Sequence, residues 1–138
     1  MFARKFLLGK IHKATVTGAD VNYMGSITID PLLIEEAGIL PLEEVEVWDV
    51  TNGARFATYC LPGRRGDGQV TVNGAAARRT HVGDKVIVTA YGLCDDAALG
   101  AHVVKVVVPD EQNRVADLFT YRADLATGEF ELTRGRRS

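Results

Sequence analysis

Apolar and polar positions in this chain alternate over short runs broken by Gly, Asn and Asp. Glu44-Val45-Glu46-Val47 is the plainest case, with apolar residues two apart and acids between them, as a strand with one wet face requires. Similar runs, rich in Val, Ile and Thr, predict strands over 10–16, 26–29, 44–50, 55–60, 69–72, 85–90 and 102–108. Asn52-Gly53 and Asp67-Gly68 stand between such runs as turn dipeptides. Many short strands at this spacing predict a closed barrel or a sandwich. Helix signals are few. Asp30-Pro31 offers an N-cap followed by proline at the first helical position, Leu32 to Ala37 a turn or two, and Gly38 a C-terminal stop. Residues 95–99 before Gly100 repeat that logic, and Ala75 to Arg79 suit a single turn. From about 122 to 138 no clear apolar face recurs, which predicts a loosely held tail.

Composition narrows the classes. A length of 138 residues fits one domain, 1–138, large enough to bury a real core. Net charge is −2, so there is no polybasic surface for nucleic acid. No apolar run approaches a bilayer span, and Lys10, His12 and Lys13 cut short the apolar start, so neither a membrane nor a signal peptide is expected. The two cysteines, Cys60 and Cys94, form no CxxC pair, and reduced thiols in a cytoplasmic protein are the plain reading.

Four groups of residues could carry chemistry. They are Lys10-Ile11-His12, Tyr23-Met24-Gly25-Ser26, the stretch from Trp48 through Thr51-Asn52-Gly53 and Arg55 to Thr58-Tyr59, and Asn73-Gly74-Ala75-Ala76-Ala77. Each alone has a structural explanation. Gly-Ser is a common strand entry, Asn-Gly a hairpin turn, Lys10 and His12 one solvated strand face, and Trp48 a core residue.

Together, in this order, they resemble the aspartate 1-decarboxylase family. That family has a Lys-x-His strand, a Tyr-x-Gly-Ser cleavage site, a Trp…Thr-Asn-Gly-x-Arg-x-x-Thr-Tyr stretch and an Asn-Gly-Ala-Ala-Ala turn. The likeness takes in Gly38-Ile39-Leu40, Arg65-Gly66 and Val82-Gly83-Asp84. It runs from about Phe6 to Ala97 and more weakly to about Val108. Arg78 stands where the family often has His, and Gly68 is displaced from the usual Gly-Ser step.

The resemblance implies a mainly β fold, a small double-psi β-barrel with a few short helices, assembled as a homotetramer with sites between neighbouring subunits. It implies a proenzyme cut between Gly25 and Ser26 into chains 1–25 and 26–138. Ser26 would attack the Gly25 carbonyl, and elimination with loss of ammonia would leave a covalent pyruvoyl group derived from Ser26. Thr58 and Asn73 match residues given self-processing roles. Asn73 would donate to the oxyanion formed at Gly25, and glycine at 25 would permit a strained backbone. No metal and no pyridoxal phosphate are needed, because the pyruvoyl ketone is itself the electron sink. The substrate would be L-aspartate and the products β-alanine and CO2, feeding pantothenate biosynthesis. Arg55, helped by Lys10, would hold the side-chain carboxylate. Tyr59 would be the proton donor, and Gly74, Ala75 and Ala76 would offer backbone N–H groups to the substrate. His12, Tyr23, Trp48 and Ile87 would shape the pocket. Whether a maturation partner is needed stays open. So do the alternatives of a non-enzymatic double-psi barrel acting as a binding module, a homologue that never cuts itself, and a decarboxylase for another amino acid.

Overall fold

The computed structural model describes residues 2–95 and 100–135. The strands are β1 (Ala3–Thr15), β2 (Gly18–Asp20), β3 (Ser26–Ile29), β4 (Glu44–Asp49), β5 (Arg55–Pro62), β6 (Val70–Asn73), β7 (Lys85–Asp95), β8 (Ala101–Pro109), β9 (Val115–Asp124) and β10 (Phe130–Arg134). One helix, α1 (Pro31–Ala37), follows β3, and a 3-10 turn, Gly74–Arg78, follows β6.

The strands join edge to edge in the order β10-β9-β8-β1-β7-β4-β5-β3-β6-β2. β2 continues β1 after Val16 and Thr17, so the run from β1 through β7, β4, β5, β3 and β6 ends on nearly the piece of chain where it began. That continuity closes the sheet into a small barrel. Two backbone bonds seal the seam: Val16 N donates to Asp84 O at 2.9 Å, and Thr17 N to Val70 O at 2.8 Å. β8, β9 and β10 extend from β1 as a flange, with β8 parallel to β1 and the two outer pairs antiparallel.

Alternation explains the core. Val45 and Val47 of β4 point inward between Glu44, Glu46 and Trp48, as the pattern predicts. They meet Ile11, Val16, Ile27, Ile29, Val70, Val72, Val86 and Val88, none more than 1% exposed. Each such side chain contributes about 1.5–3 kcal/mol relative to exposure. α1 lays Leu33, Ile34 and Ala37 onto this core. Its ends are those read from the sequence: Asp30 Oδ1 accepts from Leu32 N at 2.9 Å, and Gly38 stops the helix at φ 72°.

All seven expected strands are present, with β1 and β7 longer than predicted because their outer halves pair with each other, from Ala3↔Asp95 to Leu7↔Tyr91, where little is buried. β2 escaped notice because Gly-Ala-Asp has no strand signature. The expected loose tail is corrected: β9 runs through residue 124, and β10 pairs with it from Phe130↔Ala123 to Arg134↔Phe119. One cross-strand ring pair supports this hairpin: Tyr121 and Phe130 meet edge-on at 5.8 Å. The helical turn expected over 95–99 falls on residues 96–99, outside the described residues. The turn expected from Ala75 is the 3-10 turn. Cys60 is buried and unbridged, its thiol pushed up to about 12 by burial and then by Glu43. Among the described residues no helix is long and apolar enough to cross a membrane.

Candidate active site

β3 lies between β5, its parallel neighbour, and β6, its antiparallel one, with Ile27 opposite both Cys60 and Val72. Ser26 opens the strand opposite Asn73 and is fully buried, although Tyr23, Met24 and Gly25 before it are exposed. Its hydroxyl donates to Met24 O at 3.3 Å and accepts from Asn73 Nδ2 at 3.2 Å. The same amide reaches Thr28 Oγ1 at 3.3 Å. Ser26 and Thr28, two apart on one strand, therefore share a face, and Asn73 touches both. The amide meets the serine hydroxyl itself; among the described contacts it makes none to the Gly25 carbonyl.

Gly74 faces the exposed segment. A Cβ on Gly74 would stand 2.5 Å from Gly25 Cα and 2.8 Å from Gly25 N, and its φ is +77°. A Cβ on Gly25 would meet only Asn73 O, at 4.0 Å, and Gly25 is outside the left-handed region. The strained glycine expected at 25 is thus found at 74. Only a residue without Cβ lets the turn approach the Gly25 backbone so closely. Ala75 is exposed and Ala76 half-buried on the same turn.

Alternation along β5 sends Arg55 and Tyr59 to the outer face and Thr58 to the opposite one. Thr58 pairs with Val45 and Tyr59 with Glu44. Arg55 lies opposite Trp48, which in turn lies opposite Ile87. The Arg55 guanidinium sits over the Trp48 ring, 4.4 Å from its centroid, and no described carboxylate lies within ion-pair distance of it. Lys10 is farther round the barrel. It pairs with Thr89, which pairs with Glu46, which pairs with Ala57. Three strand spacings, about 14 Å, separate its strand from that of Arg55. Within one chain the strands that carry the two cations are therefore not neighbours.

His12 follows Ile11 at the β1 bulge, and its Nδ1 is buried without a partner. Burial, then Lys10 and Lys13, hold its pKa below 6.5, so the ring is neutral at neutral pH. Tyr23 lines an open groove of about 400 Å³ with Asp20, Thr28, Leu61, Thr71 and Asn73. The structure thus brings together Ser26, Gly25, Asn73, Gly74 and Tyr23, and separately Arg55, Trp48 and Ile87. Two residues escaped the sequence reading: Thr28, and Glu46, whose Oε1 accepts the Trp48 Nε1–H at 2.8 Å. The signal was present in both cases, since Ser26-x-Thr28 and Glu46-x-Trp48 have the two-residue spacing of one strand face.

Comparison with known proteins bears on the family of the chain. A family model described as aspartate decarboxylase matches residues 2–116. A protein of Carboxydothermus hydrogenoformans named aspartate 1-decarboxylase is 51% identical over 110 residues, 80% of this chain and 87% of that protein. Proteins of the same name from Bacillus subtilis and Neisseria meningitidis serogroup C are 47% and 48% identical, over 83% and 86% of this chain and 91% and 93% of theirs. With matches this long at such identity, the chain belongs to the aspartate decarboxylase family.

Proposed function

We propose that this chain is a proenzyme that cuts itself between Gly25 and Ser26 and, once cut, converts L-aspartate to β-alanine and CO2. The observation that carries the reading is a buried serine hydroxyl held between Asn73 and Met24 O, at the end of an exposed segment packed on Gly74. Ser26 Oγ attacks the Gly25 carbonyl carbon, and the peptide nitrogen leaves as an amine, giving an ester. Elimination across Cα–Cβ of residue 26 releases the Gly25 carboxylate. Addition of water and loss of ammonia then convert the resulting dehydroalanine to a ketone. That ketone, a pyruvoyl group, supplies the electron sink for loss of CO2. Asn73 orients the Ser26 hydroxyl for attack, in place of the oxyanion role expected from the sequence. Thr58, on the opposite face of β5 from Tyr59, remains the candidate for that second role.

Arg55 binds a substrate carboxylate, since its guanidinium rests over the Trp48 ring and carries no ion pair among the described residues. Tyr59 returns a proton to the carbon that loses CO2, and Ala75, Ala76 and Gly74 present backbone to the substrate. A homotetramer with its sites between subunits would bring Lys10 of one chain to Arg55 of another. His12, neutral, lines the pocket without adding charge. Denaturing electrophoresis and mass analysis of the purified protein test the reading. Fragments 1–25 and 26–138 are expected, the longer one blocked to stepwise N-terminal degradation, together with β-alanine release from aspartate. Ser26→Ala should stay one chain without activity. An ordinary free amine on residue 26 would mean simple hydrolysis and would sink the mechanism.

A further inference from the structure

The outer face of β4 carries a short chain of contacts that ends on Arg55. Glu46 and Trp48 are two apart on one strand, so their side chains leave on the same side. Glu46 Oε1 accepts the indole Nε1–H at 2.8 Å. Trp48 faces Arg55 directly across the β4–β5 ladder, and the guanidinium lies over the indole at 4.4 Å from the centroid. Both Glu46 and Trp48 are half-buried, and Arg55 is exposed.

We infer that Glu46 is a positioning residue for the substrate-binding cation. The single N–H of the indole is donor-only, and a partner for it fixes the rotation of the ring. The carboxylate of Glu46 is that partner, and the hydrogen bond is charge-assisted. A fixed ring offers one flat face, and a planar guanidinium stacks on it with its N–H groups directed outward in the ring plane. Those N–H groups meet a substrate carboxylate two at a time. Without Glu46 the indole turns freely about its side-chain bonds, and Arg55 must order itself at the moment of binding. Glu46 touches neither the substrate nor Arg55 in this account; it acts through Trp48. The inference rests on the proposed binding role of Arg55.

The test uses the matured enzyme and separates KM from kcat. Glu46→Ala should mature completely and keep kcat, while KM for aspartate rises about two- to fivefold, the worth of an exposed stack. Trp48→Phe keeps a ring face but removes the N–H, and should raise KM by a similar factor; it also serves if Glu46→Ala fails to fold. Glu46→Gln retains an acceptor oxygen and should restore KM. A general loss of structure would give no such rescue. On an Arg55→Ala background, Glu46→Ala should change KM no further. An unaltered KM in both Glu46→Ala and Trp48→Phe, with Arg55→Ala strongly impaired, overturns the role of Glu46 and leaves that of Arg55 standing. An unaltered KM in Arg55→Ala itself removes the binding role and the inference with it.

Discussion

Gly74 shows how one missing methyl shapes chemistry on another segment. At φ +77° an L side chain meets its own backbone, at a cost of about 1–2 kcal/mol. Overlap of the new Cβ with Gly25 adds to that. Gly74→Ala should therefore displace the segment that carries the scissile bond. We expect the 26–138 fragment to appear at least about tenfold more slowly, followed on denaturing gels; maturation at the wild-type rate would count against the contact. Sequence reasoning found Gly25, Ser26, Asn73 and Gly74 from motif order but gave the steric burden to the wrong glycine. φ and interatomic approach are not written in residue identity. Nor is strand parity across a ladder, which is why Trp48 and Arg55 were found as separate residues and their stacking was not.

Among the elements, α1 was the most legible, because its caps are local chemistry. Its N-cap does more than the sequence suggested. The buried Asp30 carboxylate accepts from Leu32 N, from Gly66 N at 3.1 Å and from Gly68 N at 2.8 Å, tying the helix to the connection before β6. Burial alone would raise its pKa, but the three backbone donors and Arg65 outweigh burial and hold it below 3.8. A carboxylate depressed in this way stabilises fully above its unfolded value and loses that contribution as pH falls through the lower folded one. Asp30→Asn turns an NH2 toward a backbone donor. It should cost about 1–3 kcal/mol at neutral pH and, in thermal melts, lose less than wild type on acidification below pH 3.8. An unchanged melt at neutral pH would refute the tie. β9 and β10 lie at the other extreme. β10 shows no amphipathic stripe, since Phe130, Leu132 and Arg134 share an open face, and its pairing with β9 cannot be read from one strand alone.

For the whole molecule, the position of β1 matters most. The strand is central, paired with β7 on one side and β8 on the other, while its continuation β2 pairs with β6. Ile11, Ala14 and Val16 belong to the core. All of this lies before Gly25. The proposed cut therefore severs a middle strand from the barrel that surrounds it, and the mature unit is a short peptide clasped by a larger one. Connectivity then becomes a matter of concentration. Before the cut, closing β1 onto its partners is an intramolecular search; after denaturation of the cut form, it is an encounter between two molecules. Refolding by dilution from denaturant, followed by circular dichroism, should depend on protein concentration far more strongly for the cut form than for Ser26→Ala, in which only subunit assembly is an encounter. Equal behaviour would show that residues 1–25 are dispensable to the barrel. The mature state is then reached only by way of its precursor, and its persistence is kinetic: a lifetime set by how slowly the clasp opens, with no reliable way back once it does.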